Sequence, residues 1–222
     1  MSGRPLLHSG LYRLPLPPLL PKRRRVFFSF HYQRDVWRAN QIRNSWRFGH
    51  EATRTGTGFF DGSLWESSKR TGDSSLKALI NKGLENTSVT CVLAGTETYS
   101  RRWVRYEIAR SVVRGNGLLT VGIDRKQDQR GNTCAAGPDP LAFMGVYLAG
   151  PNKILLAEVS NGTWRRYMDY QLPVVLPSGW RKPDSTNVIP LSCYARRHCY
   201  VAEHGPFSFA NWVEVAAQRA GR

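Results

Sequence analysis

Apolar and polar positions along the chain follow two periodicities in alternation. Nearly continuous apolar runs predict buried strands, which cover 26–30, 59–61, 88–94 and 118–123. Apolar residues spaced three or four positions apart predict helices, which cover 34–48, the stretch from Ser74 to Leu84, and 102–113. Between the first helix and the second strand, a Gly- and Thr-rich segment at 53–58 is predicted to be a loop. The alternation favours right-handed crossovers and a parallel sheet with helices on both faces.

The part of the chain after residue 125 has a less regular pattern. Two segments, 153–159 and 164–170, flank Asn161-Gly162, a dipeptide typical of a two-residue hairpin turn. A further strand is predicted around 188–194. A closing helix is predicted at 207–219, with an inward face formed by Phe209, Trp212, Val213 and Ala216.

These patterns predict a single domain at 26–222, with a core at about 26–125 and an elaboration at about 126–222. Residues 1–25 combine several prolines with a Lys-Arg-Arg-Arg run and are predicted to be a flexible or extended leader. A polyproline ligand at 15–18 is the alternative for that leader. No internal repeat or second domain is evident in the sequence.

Composition narrows the class of protein. The 222 residues are 41% hydrophobic and 11% aromatic, which is enough for one substantial core. No run approaches the roughly 20 apolar residues of a membrane-spanning helix, and prolines interrupt the N-terminal leucines where a secretory signal needs a helix. We therefore expect a soluble protein without membrane partners. The four cysteines are too few and too irregularly spaced for a disulfide framework, so a cytoplasmic location is expected.

The composition also raises the question whether the protein binds a metal ion or nucleic acid. A zinc site could be built from Cys193, His198, Cys199 and His204, but these residues lack the short paired spacings of such sites, and no metal is expected. The net charge of +16 is compatible with a polyanion-binding face. The basic residues are dispersed, however, and match no nucleic-acid module, so a solvated basic surface is the favoured interpretation and nucleic acid is an unlikely partner.

The residues that are candidates for a chemical role are concentrated in one segment of the sequence. No Gly-x-Gly-x-x-Gly, Walker or Gly-x-Ser-x-Gly motif follows a predicted strand. The segment from Ser100 to Glu107 lies just beyond the strand 88–94, where an open α/β sheet has its binding crevice. Trp103 and Glu107 are four positions apart and share one helix face. Spacing alone leaves open whether this pair borders a pocket or belongs to an ordinary amphipathic helix.

The segment 25–35, Arg-Val-Phe-Phe-Ser-Phe-His-Tyr-Gln-Arg-Asp, resembles the first conserved box of TIR domains. Trp103-Val-Arg-Tyr-Glu107 is similar to the Trp-x-x-x-Glu motif of NAD-consuming TIR domains. Gly58-Phe-Phe-Asp61, Ser63-Leu-Trp-Glu66 and the segments 91–95 and 99–109 more closely resemble a bacterial TIR-like subfamily, which includes the sensor subunit of Thoeris antiphage systems. The resemblance covers about 26–222. The long region after Asp124 and the loop after Phe48 depart from ordinary TIR domains.

The resemblance implies a flavodoxin-like TIR fold, a central parallel sheet flanked by helices, with extra C-terminal strands and a closing helix. It also implies an NAD nucleosidase or ADP-ribosyl cyclase that uses NAD as substrate, needs no cofactor and makes an ADP-ribose-derived signal. Glu107 matches the family's catalytic carboxylate. The expected substrate-binding residues are Ser29, Phe30, His31, Tyr32, Asp61, Trp65 and Trp103.

The expected partners are a separate effector reached through the nucleotide signal, a phage-derived activator and further copies of the chain. Three questions stay open at this stage. The first is the acceptor of the ADP-ribosyl group, for which the alternatives are water, a group of the same nucleotide and another small molecule. A non-catalytic assembly or nucleotide-sensing module is the alternative to an enzyme. Arg101, Arg102 and Arg105 are candidates to attract a diphosphate, although neighbouring helix positions cannot all face it.

Overall fold

A computed structural model describes residues 24–48, 55–56 and 72–222. Strands within these ranges are β1 (Arg25–Phe30), β2 (Thr55–Gly56), β3 (Val89–Ala94), β4 (Gly117–Gly122), β5 (Met144–Leu148), β6 (Ile154–Ser160), β7 (Thr163–Arg166), β8 (Ile189–Pro190) and β9 (Arg197–Cys199). Helices in the same ranges are α1 (Tyr32–Phe48), α2 (Asp73–Gly83), α3 (Arg102–Val113) and α4 (Gly205–Arg219). Short 3₁₀ turns occur at Thr98–Ser100, Pro140–Phe143 and Leu191–Cys193.

The described strands form two sheets. The first is fully parallel, with the order β2-β1-β3-β4-β9, and the second is antiparallel, with the order β7-β6-β5-β8. β3 and β4 are buried along their whole length, as expected for central strands that are covered on both faces. The predicted α/β architecture, with a parallel sheet and additional C-terminal strands, is confirmed.

Helices cover both faces of the parallel sheet. On one face, α1 and α4 contribute Ile42, Trp46, Phe209 and Val213 to a core shared with β1, β3 and β4. This confirms the inward face predicted for the closing helix, since Phe209, Trp212, Val213 and Ala216 are all buried. On the other face lie α2 and α3, whose apolar residues pack against the opposite side chains of the same strands.

The second sheet packs against α3. Val104, Ile108 and Val112 of the helix belong to one apolar cluster with residues of β5 and β6. Its hairpin turns at Asn161-Gly162, where both residues have positive φ angles, 50° and 75°. That conformation is the one that Asn-Gly favours, so the predicted turn is confirmed. The helix that carries Glu107 therefore lies between the two sheets.

Several predicted boundaries were wrong. Thr55–Gly56, predicted to be a loop, pairs with β1 as a short strand, and the predicted strand at 59–61 lies outside the described residues. Within 188–194 only Ile189–Pro190 is a strand, because the following residues turn into a 3₁₀ helix. The second arm of the hairpin ends at Arg166, before Tyr170. The spacing of Val36, Trp37, Ile42 and Trp46 predicts that all four face the core, but Trp37 is 48% exposed.

The ends of the described fold meet. Arg24 lies directly before β1, and its guanidinium donates two hydrogen bonds of 2.7 Å to Glu214 and one of 3.1 Å to the carbonyl of Arg222. Arg24, a residue of the predicted leader, thus contacts residues of the closing C-terminal segment. In the described ranges, no helix is long and apolar enough to cross a membrane.

The four cysteines are free thiols. The ring of His198 stacks on Trp212 at 4.2 Å, and its Nδ1 lies 2.7 Å from a Glu203 oxygen. His198 is thus held by contacts unrelated to the other residues of the considered zinc site. Among residues 24–48 and 72–222, no cluster of His, Cys, Asp and Glu side chains is arranged to hold a metal ion.

Candidate functional site

A cavity of about 250 Å³ opens at the carboxyl end of β1, between the start of α1 and the first half of α3. This is the edge of a parallel sheet at which ligands bind in open α/β folds. In the described part of the chain, two stretches supply the walls, which are formed by Phe30, His31, Tyr32, Gln33, Arg101, Arg102, Trp103, Val104 and Glu107.

Glu107 borders this cavity from the second turn of α3, and it is only 3% exposed. Its Oε2 accepts a hydrogen bond of 2.5 Å from the hydroxyl of Ser29, which is itself fully buried in β1. Ser29 and Glu107 are 78 residues apart in sequence. The contact therefore depends on the packing of α3 across β1.

Burial controls the ionisation of this carboxyl group. Loss of water raises the pKa of Glu107 from its ordinary value near 4.5 to about 8, although the Ser29 hydrogen bond favours the carboxylate and limits the rise. Near neutral pH, the Glu107 carboxyl is therefore mostly protonated. A cationic group placed beside it would favour ionisation, because the attraction between opposite charges offsets the loss of water.

His31 follows β1 directly and lines the same cavity. Burial, followed by the positive charges of Arg101 and Arg34, lowers the pKa of His31 to about 4, so the imidazole is neutral at physiological pH. Its Nδ1 has no hydrogen-bond partner in the described part of the chain. The cavity is therefore bordered by a neutral imidazole with a buried nitrogen that has no partner among the described residues.

Asp35 anchors the loop that leads into α3. Its carboxylate is 2% exposed, and Thr98 donates a hydrogen bond of 3.4 Å to it while accepting one of 2.9 Å from the Gly95 amide. A Cβ on Gly95 would lie 2.3 Å from an Asp35 oxygen, so only glycine fits there without a shift. Burial raises the pKa of Asp35, against the opposing charge of Arg38.

Trp103 lies at the boundary between the cavity and the core. Its ring lines the cavity and makes an edge contact with Tyr106, at 6.0 Å between centroids. It also packs against the apolar cluster that contains Phe27 and Leu76. On the outer side, the guanidinium of Arg102 lies 4.8 Å from its centroid. Trp103 thus contacts both the cavity and the apolar core, so it borders a pocket and also packs as a residue of an amphipathic helix.

The three arginines near the cavity have different partners. Arg102 forms two hydrogen bonds of 2.8 Å with Asp169 and a contact of 2.7 Å with Asp73. Arg105 lies 2.7 Å from Glu158 of β6 and also bonds to backbone carbonyls. These carboxylates fix α3 to α2 and the second sheet. The remaining arginine, Arg101, pairs with Glu97 in the exposed loop before α3.

The structure brings together most of the residues that the sequence nominated for the pocket. Phe30, His31, Tyr32, Trp103 and Glu107 line the cavity, and Ser29 contacts Glu107 from the sheet. Asp61 and Trp65 lie outside the described residues. Sequence reasoning missed Gln33 and Val104. Gln33 and Val104 lie inside the two quoted motifs, next to the nominated Tyr32 and Trp103, so nominating the direct neighbours of those two residues would have found them.

Known proteins are similar to this chain in the region that contains the cavity. A family model described as "Thoeris protein ThsB, TIR-like domain" matches residues 27–128, which contain every described residue that lines the cavity. A protein from Bacillus cereus (strain MSX-D12), named "Putative cyclic ADP-D-ribose synthase ThsB1", is 41% identical over 195 residues, which cover 86% of this chain and 98% of the relative. The chain belongs to the Thoeris ThsB TIR-like family.

Membership in this family confirms the resemblance drawn from the motifs around Ser29 and Glu107. The similarity to the Bacillus protein extends well beyond residue 128, because a match of 195 residues in a chain of 222 includes the second sheet. This part of the elaboration is therefore shared with that relative. In this chain it holds α3 through Arg102 and Arg105.

Proposed function

We propose that this chain cleaves the bond between nicotinamide and ribose in NAD and produces an ADP-ribose-derived signal in antiphage defence. The observation that carries the proposal is a buried carboxyl, Glu107, at the border of an aromatic-lined cavity at the carboxyl edge of a parallel sheet. The name of the Bacillus relative, a cyclic ADP-D-ribose synthase, supports the choice of a cyclising or hydrolytic reaction on NAD.

The chemistry of NAD fits a site with a single carboxyl. Nicotinamide in NAD is cationic, so it leaves as a neutral molecule when the C1′–N bond breaks and its electron pair returns to the ring nitrogen. No acid is needed for this departure. The ribose meanwhile gains positive charge, and a carboxylate beside it stabilises the transition state. In our proposal Glu107 is that carboxylate, and Ser29 holds one of its oxygens in place.

Burial within the protein raises the pKa of Glu107. The cationic nicotinamide ribose brings a positive charge against the carboxyl, which favours release of its proton. Because Glu107 is only 3% exposed, the attraction of the ionised group to the developing charge is stronger than in solution. Burial thus makes the carboxylate costly before the substrate binds and effective afterwards.

The acceptor of the ADP-ribosyl group decides the product. Water at C1′ gives ADP-ribose and releases one proton, whereas a nucleophilic atom of the same dinucleotide gives a cyclic ADP-ribose isomer and also releases one proton. The name of the relative favours the cyclic product. We further propose that a separate effector protein reads this product and that a phage-derived component activates the enzyme, as an assembly of several copies.

The test is incubation of the purified full chain with NAD, with and without lysate from phage-infected cells, followed by mass spectrometry of the nucleotides. We expect nicotinamide together with ADP-ribose or its cyclic isomer. Glu107→Gln removes the charge with almost no change of shape and should abolish product formation. Glu85→Gln, which alters an exposed carboxylate on another element, is the matched control and should retain activity.

Two results would contradict the proposal. NAD that stays intact in every condition would exclude cleavage, and nucleotide binding without turnover would then favour a sensing module. Equal product formation by the unaltered chain and Glu107→Gln would exclude Glu107 as the catalytic carboxylate.

A further inference from the structure

The arginines beside the cavity differ in how firmly they are held, and this difference identifies the one that is available to a ligand. Arg102 contacts two carboxylates, Asp169 and Asp73, and its pKa is raised by these hydrogen bonds. Arg105 is held by Glu158, with side chains that are only 17% and 22% exposed. Both arginines serve to join elements of the fold, and a ligand would have to break those contacts to recruit them.

Arg101 is held differently. It lines the cavity. Arg102 is more exposed, at 51% against 38%, but two carboxylates of other segments hold it. Arg101 instead pairs with Glu97, which lies four residues earlier and is 37% exposed. Solvent screens such a pair, so the pair contributes little to stability. Glu97 also pairs with Arg34 of α1. If Arg101 leaves Glu97 for another anion, Arg34 remains to balance the carboxylate, and no charge is left unpaired.

The backbone around Arg101 favours an anion as well. Arg101 is the residue that precedes the first turn of α3, and no side chain caps the free amides of that turn. Free amides and the helix dipole produce a positive potential at this end of a helix. Arg101 adds a guanidinium, a group whose paired N–H donors match phosphate oxygens. The mouth of the cavity therefore has two independent sources of positive potential.

The spacing along α3 fits a dinucleotide. Glu107 lies six residues after Arg101, which corresponds to about 9 Å along the helix axis. In NAD the diphosphate is joined to C5′ of the same ribose whose C1′ carries nicotinamide. A ribose placed with C1′ beside Glu107 would therefore direct its phosphates along the helix, either towards Arg101 at the mouth or away from it. Among the described residues that line the cavity, the two basic ones, Arg101 and Arg102, lie in the first of these directions.

We propose that Arg101 forms a diphosphate-binding subsite at the mouth of the cavity, with Glu97 as the internal partner that the phosphates displace. This inference rests on the proposed function, because it takes a nucleoside diphosphate as the ligand. It assigns distinct roles to the three arginines: Arg101 binds the ligand, whereas Arg102 and Arg105 position α3.

The test uses binding, so it does not depend on turnover. ADP-ribose is titrated into the full chain and into Arg101→Gln by calorimetry, and nicotinamide riboside, which lacks the diphosphate, is titrated by NMR. Loss of a charge-assisted contact should weaken ADP-ribose binding by about 10- to 100-fold. Nicotinamide riboside should bind both proteins equally. Arg181→Gln removes the same charge at an exposed position outside the cavity lining and should leave both affinities unchanged.

Three outcomes would overturn the subsite. These are unchanged ADP-ribose affinity in Arg101→Gln, an equal loss of affinity for both ligands, and no binding of ADP-ribose to the unaltered chain. The cleavage assay gives a separate readout: absence of NAD cleavage with a selective loss of ADP-ribose binding would exclude the proposed reaction and retain the subsite. Cleavage at the same KM for NAD in Arg101→Gln would exclude the subsite and retain the reaction.

Discussion

Glu107→Gln should stabilise the folded protein, and the gain should grow with pH. Because the pKa of Glu107 is near 8 in the fold and near 4.5 in an unfolded chain, the folded state retains a proton that the unfolded state releases between these values. The free energy of unfolding therefore falls as the pH rises from 4.5 towards 8, and it stays low above 8. Glutamine carries no ionisable group, so the variant escapes this loss.

The magnitude follows from the same two pKa values. Each tenfold change in proton affinity corresponds to about 1.4 kcal/mol, so the interval from 4.5 to about 8 corresponds to about 5 kcal/mol in total. Between pH 5 and pH 8, the part of this range that is convenient to measure, the gain of the variant over the unaltered chain should increase by about 3 kcal/mol. Glu107 is deeply buried, so solvent screening does not reduce the effect substantially.

The assay is urea denaturation of both proteins at pH 5, 6, 7 and 8, followed by tryptophan fluorescence. Glu85→Gln, at an exposed position, provides the control for the loss of one negative charge and should show a small and pH-independent difference. A constant difference between the unaltered chain and Glu107→Gln across this range would refute the reasoning, because it would mean that Glu107 ionises at its ordinary pKa.

Three further predictions concern the same region. The kcat/KM for NAD should rise with pH up to about 8 and then level off, since it follows the ionisation of Glu107 in the free enzyme; a flat initial-rate profile from pH 6 to 9 would contradict this. Ser29→Ala removes the hydroxyl that donates to the Glu107 carboxylate. The pH at which kcat/KM rises should therefore increase by about one unit, whereas a shift of this rise to lower pH would contradict the assigned hydrogen bond. Gly95→Ala should lower the free energy of unfolding by about 1–3 kcal/mol in urea titrations, because the new methyl group meets the buried Asp35 carboxylate, and an unchanged midpoint would show that the loop adapts.

The sequence was sufficient to locate Glu107 but not to describe its environment. Helical periodicity and the motif around Trp103 place Glu107 on the correct face of α3. The contact with Ser29 depends on how α3 packs across β1, and no local pattern specifies that distance. The raised pKa was equally inaccessible, because it follows from the complete burial that tertiary packing produces.

The roles of the basic residues required the structure for a similar reason. Arg101, Arg102 and Arg105 look equivalent in a sequence, and their difference arises from carboxylates that lie in distant segments, such as Asp169 and Glu158. The edge strand β9 was missed because its three residues, Arg-His-Cys, lack an apolar pattern. Its pairing with β4 is a long-range contact that strand propensity does not predict.

The apolar cluster between α3 and the second sheet has a consequence for truncated versions of the chain. Val92 and Ile108 from the first part of the chain share this cluster with Leu141, Val146 and Leu156 from the later part. A fragment that stops near residue 125 would expose the apolar side chains of its part of this cluster to water and would lose Asp169 and Glu158, two of the carboxylates that hold α3. Such a fragment should aggregate or fold poorly, so a minimal folded unit cannot be cut from the chain at the point where the resemblance to ordinary TIR domains ends.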